Sequence, residues 1–265
     1  VSDTMDGSVK YAVADGVATI TFNRPVVMNA LDADSIRCFC RAAERAAADD
    51  SARVVVLCGA GPAFVAGGDV AMFARKLPEL ATLVPELANA LNRGILALRR
   101  APKPVIASVH GAVAGAGFSI MLACDLVLAA ADTQFSLAYA RIGACPDGGA
   151  TWFLPRLTGY QRAMELMLLA DGVDAVALER CGVINRVVAS AELAAETAKL
   201  AQRLATGPAK AYAETKAIAN HALLQQLPAH LEAEALAFAR CAASADFAEG
   251  VTAFTIKRKP LFKGA

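Results

Sequence analysis

The chain opens on an alternating pattern. Val9, Tyr11 and Val13 recur at every second position, then Val17, Thr19 and Thr21 before Phe22, with Asp15-Gly16 between the two runs. Period-two patterning on both sides of an Asp-Gly pair predicts a β-hairpin. Asn23-Arg24-Pro25 ends it, and Asp32 stands where it can cap a helix running to about Ala48. The unbroken apolar run Val54-Val55-Val56-Leu57 has the character of a strand buried on both faces. After a loop rich in glycine and alanine (59–68), helix is expected from Asp69, and again from Pro85 to Arg100, where Pro102 and Pro104 stop it. Strands are expected at 105–109, 126–129 and 183–188, a short helix after the glycine turn near 115, and a helix over 159–170 ended by Asp171-Gly172. From about Ala191 the pattern is helical throughout, broken at Gly207-Pro208 and Pro228.

The predicted layout is an α/β fold in two parts, residues 1–190 mixed and residues 191–265 all-α. A segment without strands must cover the apolar faces around Leu223, Leu224, Leu236 and Phe238 with the first part or with another copy of the chain. A homotrimer or homohexamer is expected.

Composition narrows the class. The 265 residues are 56% hydrophobic, which excludes a disordered chain. With 26 Lys+Arg against 25 Asp+Glu the net charge is +1, so a nucleic-acid partner has no electrostatic footprint. The one basic cluster, Lys257-Arg258-Lys259, reads as a solvated tail. Seven cysteines, several inside apolar runs and none in a C-x-x-C pair, suit free thiols in a reducing cytoplasm. The three histidines form no metal-ligand spacing. No basic and apolar leader opens the sequence, so secretion is not expected. Residues 104–124 carry no formal charge, but proline, glycines and His110 break them up, and they read as strand, turn and helix rather than a membrane span.

Candidate chemistry sits at two small, glycine-rich strand-to-helix junctions, Phe64-Val65-Ala66-Gly67-Gly68-Asp69 and Gly115-Ala116-Gly117. Small residues at a helix start leave backbone N–H groups open to a ligand, and two that converge make an oxyanion hole. The same glycines could equally serve tight turns and close packing alone. A dinucleotide fingerprint fails, because Ile120 stands where its third glycine belongs. In a third stretch, Gly143-Ala144-Cys145-Pro146-Asp147-Gly148-Gly149, one carboxylate lies among small uncharged residues. Asp147 there is either a general base or the cap of a helix starting near Gly149.

Together these pieces resemble the crotonase superfamily, the enoyl-CoA hydratase/isomerase family, from about Val9 to Lys263. The signatures are Asn23-Arg24-Pro25 with Asn29-Ala30-Leu31, then Phe64-x-Ala66-Gly67-x-Asp69, Lys103-Pro104-Val105-Ile106-Ala107-x-Val109-His110-Gly111, Gly115-x-Gly117 and Ala123-Cys124-Asp125-Leu126, in the family's order. The resemblance implies a spiral of ββα units with an all-α C-terminal trimerisation region. It also implies an enzyme of acyl-CoA and fatty-acid metabolism whose substrate is an acyl-CoA thioester. CoA arrives as part of the substrate, with no metal or redox cofactor. It assigns the oxyanion hole to the N–H groups of Gly68 and Ala116. CoA binding falls to Arg24, Val26, Ala66, Gly67 and Asp69, and from the C-terminal element to Phe262 and Lys263.

The two glutamates with which the family's hydratases hold water fall at Ser119 and Tyr139, neither of them an acid. Asp147 matches the single acid of some enoyl-CoA isomerases, and the Pro-Asp-x-Gly-x-Thr-Trp context looks most like the ring-opening isomerase of phenylacetate breakdown. Haloaroyl-CoA dehalogenases also carry an Asp there, but their histidine and tryptophan have no match in this chain. The expectation is an acyl-CoA isomerase with Asp147 as proton shuttle across the pocket and Phe118, Met121, Tyr139 and Trp152 as apolar walls, each of which could equally be core. A hydratase and a non-catalytic acyl-CoA-binding subunit are the alternatives.

Overall fold

Asp15 and Gly16 both take positive φ, 50° and 76°, and turn β1 (Val9–Ala14) antiparallel onto β2 (Val17–Phe22). The computed structural model describes residues 7–222, 224 and 226–264. Helix α1 (Ala33–Ala48) starts on a capping box, in which Ser35 N–H donates to Asp32 Oδ1 and Asp32 N–H donates to Ser35 Oγ, both at 2.8 Å. Next, β3 (Val54–Gly59) runs parallel to β2. Its apolar run divides by parity, Val55 and Leu57 entering the main core and Val54 and Val56 a second core on the opposite face.

Helices α2 (Val70–Arg75) and α3 (Leu80–Arg100) follow. Here the expected start at Pro85 is corrected, since α3 begins at Leu80 and carries Pro85 inside it. The proline is exposed and removes one backbone bond, while Leu83 before it packs on the core. Then come β4 (Val105–Val109), β5 (Ala112–Ala114) and α4 (Ala116–Leu122). They are followed by β6 (Leu126–Ala130), β7 (Gln134–Ser136), α5 (Ala150–Thr158), α6 (Tyr160–Leu169), β8 (Val173–Asp174), α7 (Ala175–Arg180) and β9 (Arg186–Val188).

The larger sheet has the order β1-β2-β3-β4-β6-β9 and the smaller β5-β7-β8. The middle turns, β4-β5-α4 and β6-β7-α5, each send one strand to the larger sheet and one to the smaller before a helix. The unit β4-β5-α4 recurs in reduced form as β3, Val65 and α2, with Val65 making a single parallel bridge to Val113 of β5. This is the crotonase spiral.

The expected strand over 183–188 shortens to β9. Val183 and Ile184 are buried, but their N–H groups bond Leu178 O at the end of α7, and strand pairing resumes only after Asn185 bridges to Val127.

The helical remainder is α8 (Leu193–Ala205), α9 (Ala209–Ala222), α10 (Leu227–Ala242) and α11 (Ala245–Thr255). Leu193, Ala201 and Ala205 of α8 cover the second sheet face against Val54, Val56, Ile106 and Leu128. No such stripe holds α9, which has no buried residue among those described. A lysine holds it instead. Lys216 Nζ pairs with Asp125 Oδ2 at 2.7 Å and donates to Leu98 O at 2.8 Å and Lys103 O at 3.1 Å. Burial pushes this ammonium below the usual lysine range, and Asp125 opposes the shift. Leu224, Leu236 and Phe238 remain 77%, 63% and 65% exposed, while Leu223 lies outside the described residues. No described helix is long and apolar enough to cross a membrane.

Removing Lys216 takes one cation from Asp125, which keeps Arg99 at 3.5 Å and the Val105 N–H at 2.8 Å, and takes the donor from two carbonyls, at a cost of about 2 kcal/mol. Lys216→Ala should therefore lower the urea midpoint markedly and expose α9 to limited proteolysis. An unchanged midpoint would remove the latch.

Candidate active site

The two glycine-rich junctions meet. Ala114 N–H donates to Val65 O at 2.9 Å, and a Cβ on Gly117 would lie 2.3 Å from the same oxygen, so only glycine permits the crossing. Gly67 takes φ +102° and Gly115 φ +47°, and the two are in van der Waals contact, a Cβ on Gly115 falling 3.5 Å from Gly67 Cα. The loop of residues 64–69 is held on its other side by Leu31 N–H to Gly67 O at 2.7 Å, Asp69 N–H to Leu31 O at 2.9 Å and Ala66 N–H to Met28 O at 3.1 Å. These bonds engage the N–H groups on either side of Gly68. The N–H groups of Gly68 and of Ala116, the first residue of α4, have no acceptor among the described residues. Two free donors on touching loops can polarise one carbonyl oxygen.

Arg24 and Asp69, expected at the CoA, lie in an ion cluster behind this loop. Arg24 Nη2 is 3.0 Å from Asp32 Oδ2 and 3.4 Å from Asp69 Oδ2, and Nη1 donates to Ala30 O. Asp69 Oδ1 accepts from Met72 N–H at 2.9 Å and so caps α2. The geometry gives the pair a holding role. Asn29, 1% exposed, completes it, with Oδ1 accepting from Arg24 N–H and Nδ2 donating to Ala60 O and Ala63 O. In the sequence Asn29 carried only a family signature, because the two carbonyls its Nδ2 bonds lie more than thirty residues away. The turn it supports presents Val26, 96% exposed, beside the half-buried Ala66.

Phe262 and Lys263 are not brought to these loops within one chain. Asp246, 3% exposed, accepts from Lys263 N–H and Gly264 N–H at 2.7 Å each, and Gly264 packs on Arg53 at the start of β3. The loop that carries Gly68 leaves the other end of that strand, which is about 20 Å long at six residues' rise.

The Asp147 carboxylate is not a helix cap. Gly149 takes the N-cap position of α5 with φ +81°, and Asp147 Oδ1 instead accepts from Tyr139 O–H at 2.6 Å. Ser119 Oγ donates to Asp147 O at 2.9 Å and lies 3.1 Å from the Tyr139 hydroxyl. Burial and the neighbouring Asp147 charge push the Tyr139 phenol far above its ordinary range, so it stays protonated. The Tyr139 ring also faces the oxyanion turn, its Cζ 4.0 Å from where Gly115 would carry a Cβ. Asp147 therefore does not stand across the pocket from Ser119 and Tyr139, and the three form one hydrogen-bonded group. Phe118, at 1% exposure, is core, while Met121, at 0%, borders a cavity of about 580 Å³ together with Trp152. Trp152 is half-buried, with Arg156 4.1 Å over its ring, and lines a cavity of about 670 Å³ that reaches Gly148 and Gly149. Among the described residues no group of three or more His, Cys, Asp or Glu side chains could hold a metal ion.

A ββα spiral with two free N–H groups on crossed loops beside one carboxylate defines an enzyme of the crotonase class. The chain matches the enoyl-CoA hydratase/isomerase family over residues 12–265, and it belongs to that family. It is 40% identical to a "Probable enoyl-CoA hydratase" of Rhodobacter capsulatus over 257 residues, 97% of this chain and 98% of the other. It is 36% identical to the 1,2-epoxyphenylacetyl-CoA isomerase of Escherichia coli over 256 residues, 95% and 97% of the two chains. Among solved structures, an enoyl-CoA hydratase from Polaromonas sp. JS666 superposes with a TM-score of 0.92 at 32% identity, covering 97% of this chain and all of that one.

Pro is favoured at the first position of a helix, so Ala116→Pro can remove one donor while sparing α4. Loss of an oxyanion donor costs roughly 10²–10³ in turnover. Unchanged turnover of an enoyl-CoA, with an intact circular dichroism spectrum, would take Ala116 out of the site.

Proposed function

We propose that this protein is an enoyl-CoA isomerase that moves a double bond along an acyl-CoA thioester. The observation that carries the reading is the identity of the groups beside the oxyanion turn: one carboxylate, Asp147, with a serine and a buried phenol where a hydratase would place two acids. The N–H groups of Gly68 and Ala116 polarise the thioester carbonyl and stabilise the enolate. Asp147 takes a proton from the α carbon, and the electron pair delocalises into the carbonyl and the adjacent double bond. The Asp147 acid then delivers the proton to the γ carbon, the carbonyl re-forms, and the double bond lies between the α and β carbons. CoA enters as part of the substrate, its nucleotide end towards Val26, Ala66 and Gly67, and the steps call on no metal or redox cofactor.

A hydratase remains the second reading because the Rhodobacter relative carries that name. Water addition needs groups that orient and activate water, and a phenol held protonated is no base. Conversion of 3-enoyl-CoA to 2-enoyl-CoA should therefore be measurable and hydration of crotonyl-CoA far slower. Asp147→Asn should abolish isomerisation and leave thioester binding nearly intact. Fast hydration that survives Asp147→Asn would overturn the reading.

The assembly we propose is a homotrimer or homohexamer. The exposed Leu224, Leu236 and Phe238 support it, as does the separation of Phe262 and Lys263 from Gly68 within one chain. Light scattering at micromolar concentration should give three or six times the monomer mass, and a monodisperse monomer would refute it.

A further inference from the structure

Asp147 has two carboxylate oxygens, and the structure treats them differently. Oδ1 accepts the Tyr139 hydroxyl at 2.6 Å, a short, charge-assisted bond, while Oδ2 has no partner among the described residues. The hydroxyl's second neighbour is Ser119 Oγ, which also donates to the backbone carbonyl of Asp147. The tyrosine ring faces Gly115, its Cζ 4.0 Å from where a Cβ would stand there, so the side chain that bonds the acid also lies beside the oxyanion turn. Charged groups on the surrounding elements point elsewhere. Arg141 Nη2 donates to Ala170 O, and Arg99 on α3 pairs with Asp125 and lies over Phe153. The Cys145 thiol, on the same loop as Asp147, is exposed to solvent. Among the described residues the phenol is the one titratable group that hydrogen-bonds the carboxylate.

We propose that Tyr139 is a positioning residue that ties down Asp147 Oδ1 and leaves Oδ2 as the single oxygen that carries the proton. The inference rests on the isomerase reading and goes beyond it. A carboxylate with two free oxygens can rotate between abstraction and delivery and exchange its proton with solvent. Held at Oδ1, it takes the α proton on Oδ2 and returns it to the γ carbon from the same oxygen, on the same face of the acyl chain. Part of the transferred hydrogen is then the one removed.

The test compares the full-length wild type with Tyr139→Phe on α-deuterated 3-enoyl-CoA in ordinary water. Wild type should carry a measurable fraction of label to the γ carbon. Tyr139→Phe should lose most of that internal transfer, with kcat down roughly tenfold and KM within about twofold, since one charge-assisted bond is removed. A folded Tyr139→Phe with wild-type label transfer and wild-type kcat overturns the proposal and leaves the isomerase reading standing. Should that variant fail to fold, 3-fluorotyrosine at position 139, a stronger donor of nearly the same size, should raise the fraction of label carried to the γ carbon, and an unchanged fraction is equally fatal. A wild type that converts no 3-enoyl-CoA, or an Asp147→Asn that still does, removes the reading and this inference together.

Discussion

Everything at the candidate site depends on one backbone crossing. Val65 O accepts the Ala114 N–H while Gly117 passes too close for any side chain, and this contact brings two strand-to-helix loops of different spiral turns together. Because the main chain makes the bond, every other contact on the two loops has the task of keeping it in register. Leu31 and Met28 hold the first loop from one side, and the Arg24–Asp32–Asp69 cluster holds the helix that leaves it. Ser136 O anchors the second loop through the Gly115 N–H at 3.0 Å. The larger sheet, with cores on both faces, supplies the rigidity on which such placement rests.

The helical third of the chain is attached by three different means. Hydrophobic packing fixes α8, a buried ammonium among carbonyls and Asp125 fixes α9, and a carboxylate, Asp246, gathers the tail by its amides. The ionic latch on α9 is directional where an apolar stripe is not, since Lys216 has three donors and finds three acceptors. Its orientation sets the wall that α9 presents to the cavity behind Gly148 and Gly149.

Much of this was legible in the sequence. The hairpin follows from Asp15-Gly16, the first helix from its Asp32 cap, and the doubly buried strand from four consecutive apolar residues, because each is a local preference agreeing with the fold. The fold class followed from motifs in the family's order. The strands β5, β7 and β8, with two or three residues each, are too short to show a period. Pro85 misled because proline punctuation is weaker than the core contact of Leu83. Asp147 stood out as an isolated acid, but its tie to Tyr139 and Ser119 joins positions up to 28 apart and leaves no local trace. Arg24 and Asp69 were recognised as motif residues, while their pairing is a fact of three-dimensional proximity.

The two halves of the site are written in different alphabets. The half proposed to polarise the thioester consists of main-chain amides, so a side-chain exchange reaches it only through proline or by bending the chain. The proton-handling half consists of three side chains, at positions 119, 139 and 147, each a single codon away from other chemistry. On the proposed reading, a lineage that keeps the first half keeps the means to activate a thioester, and exchanging side chains alone changes what is done with it.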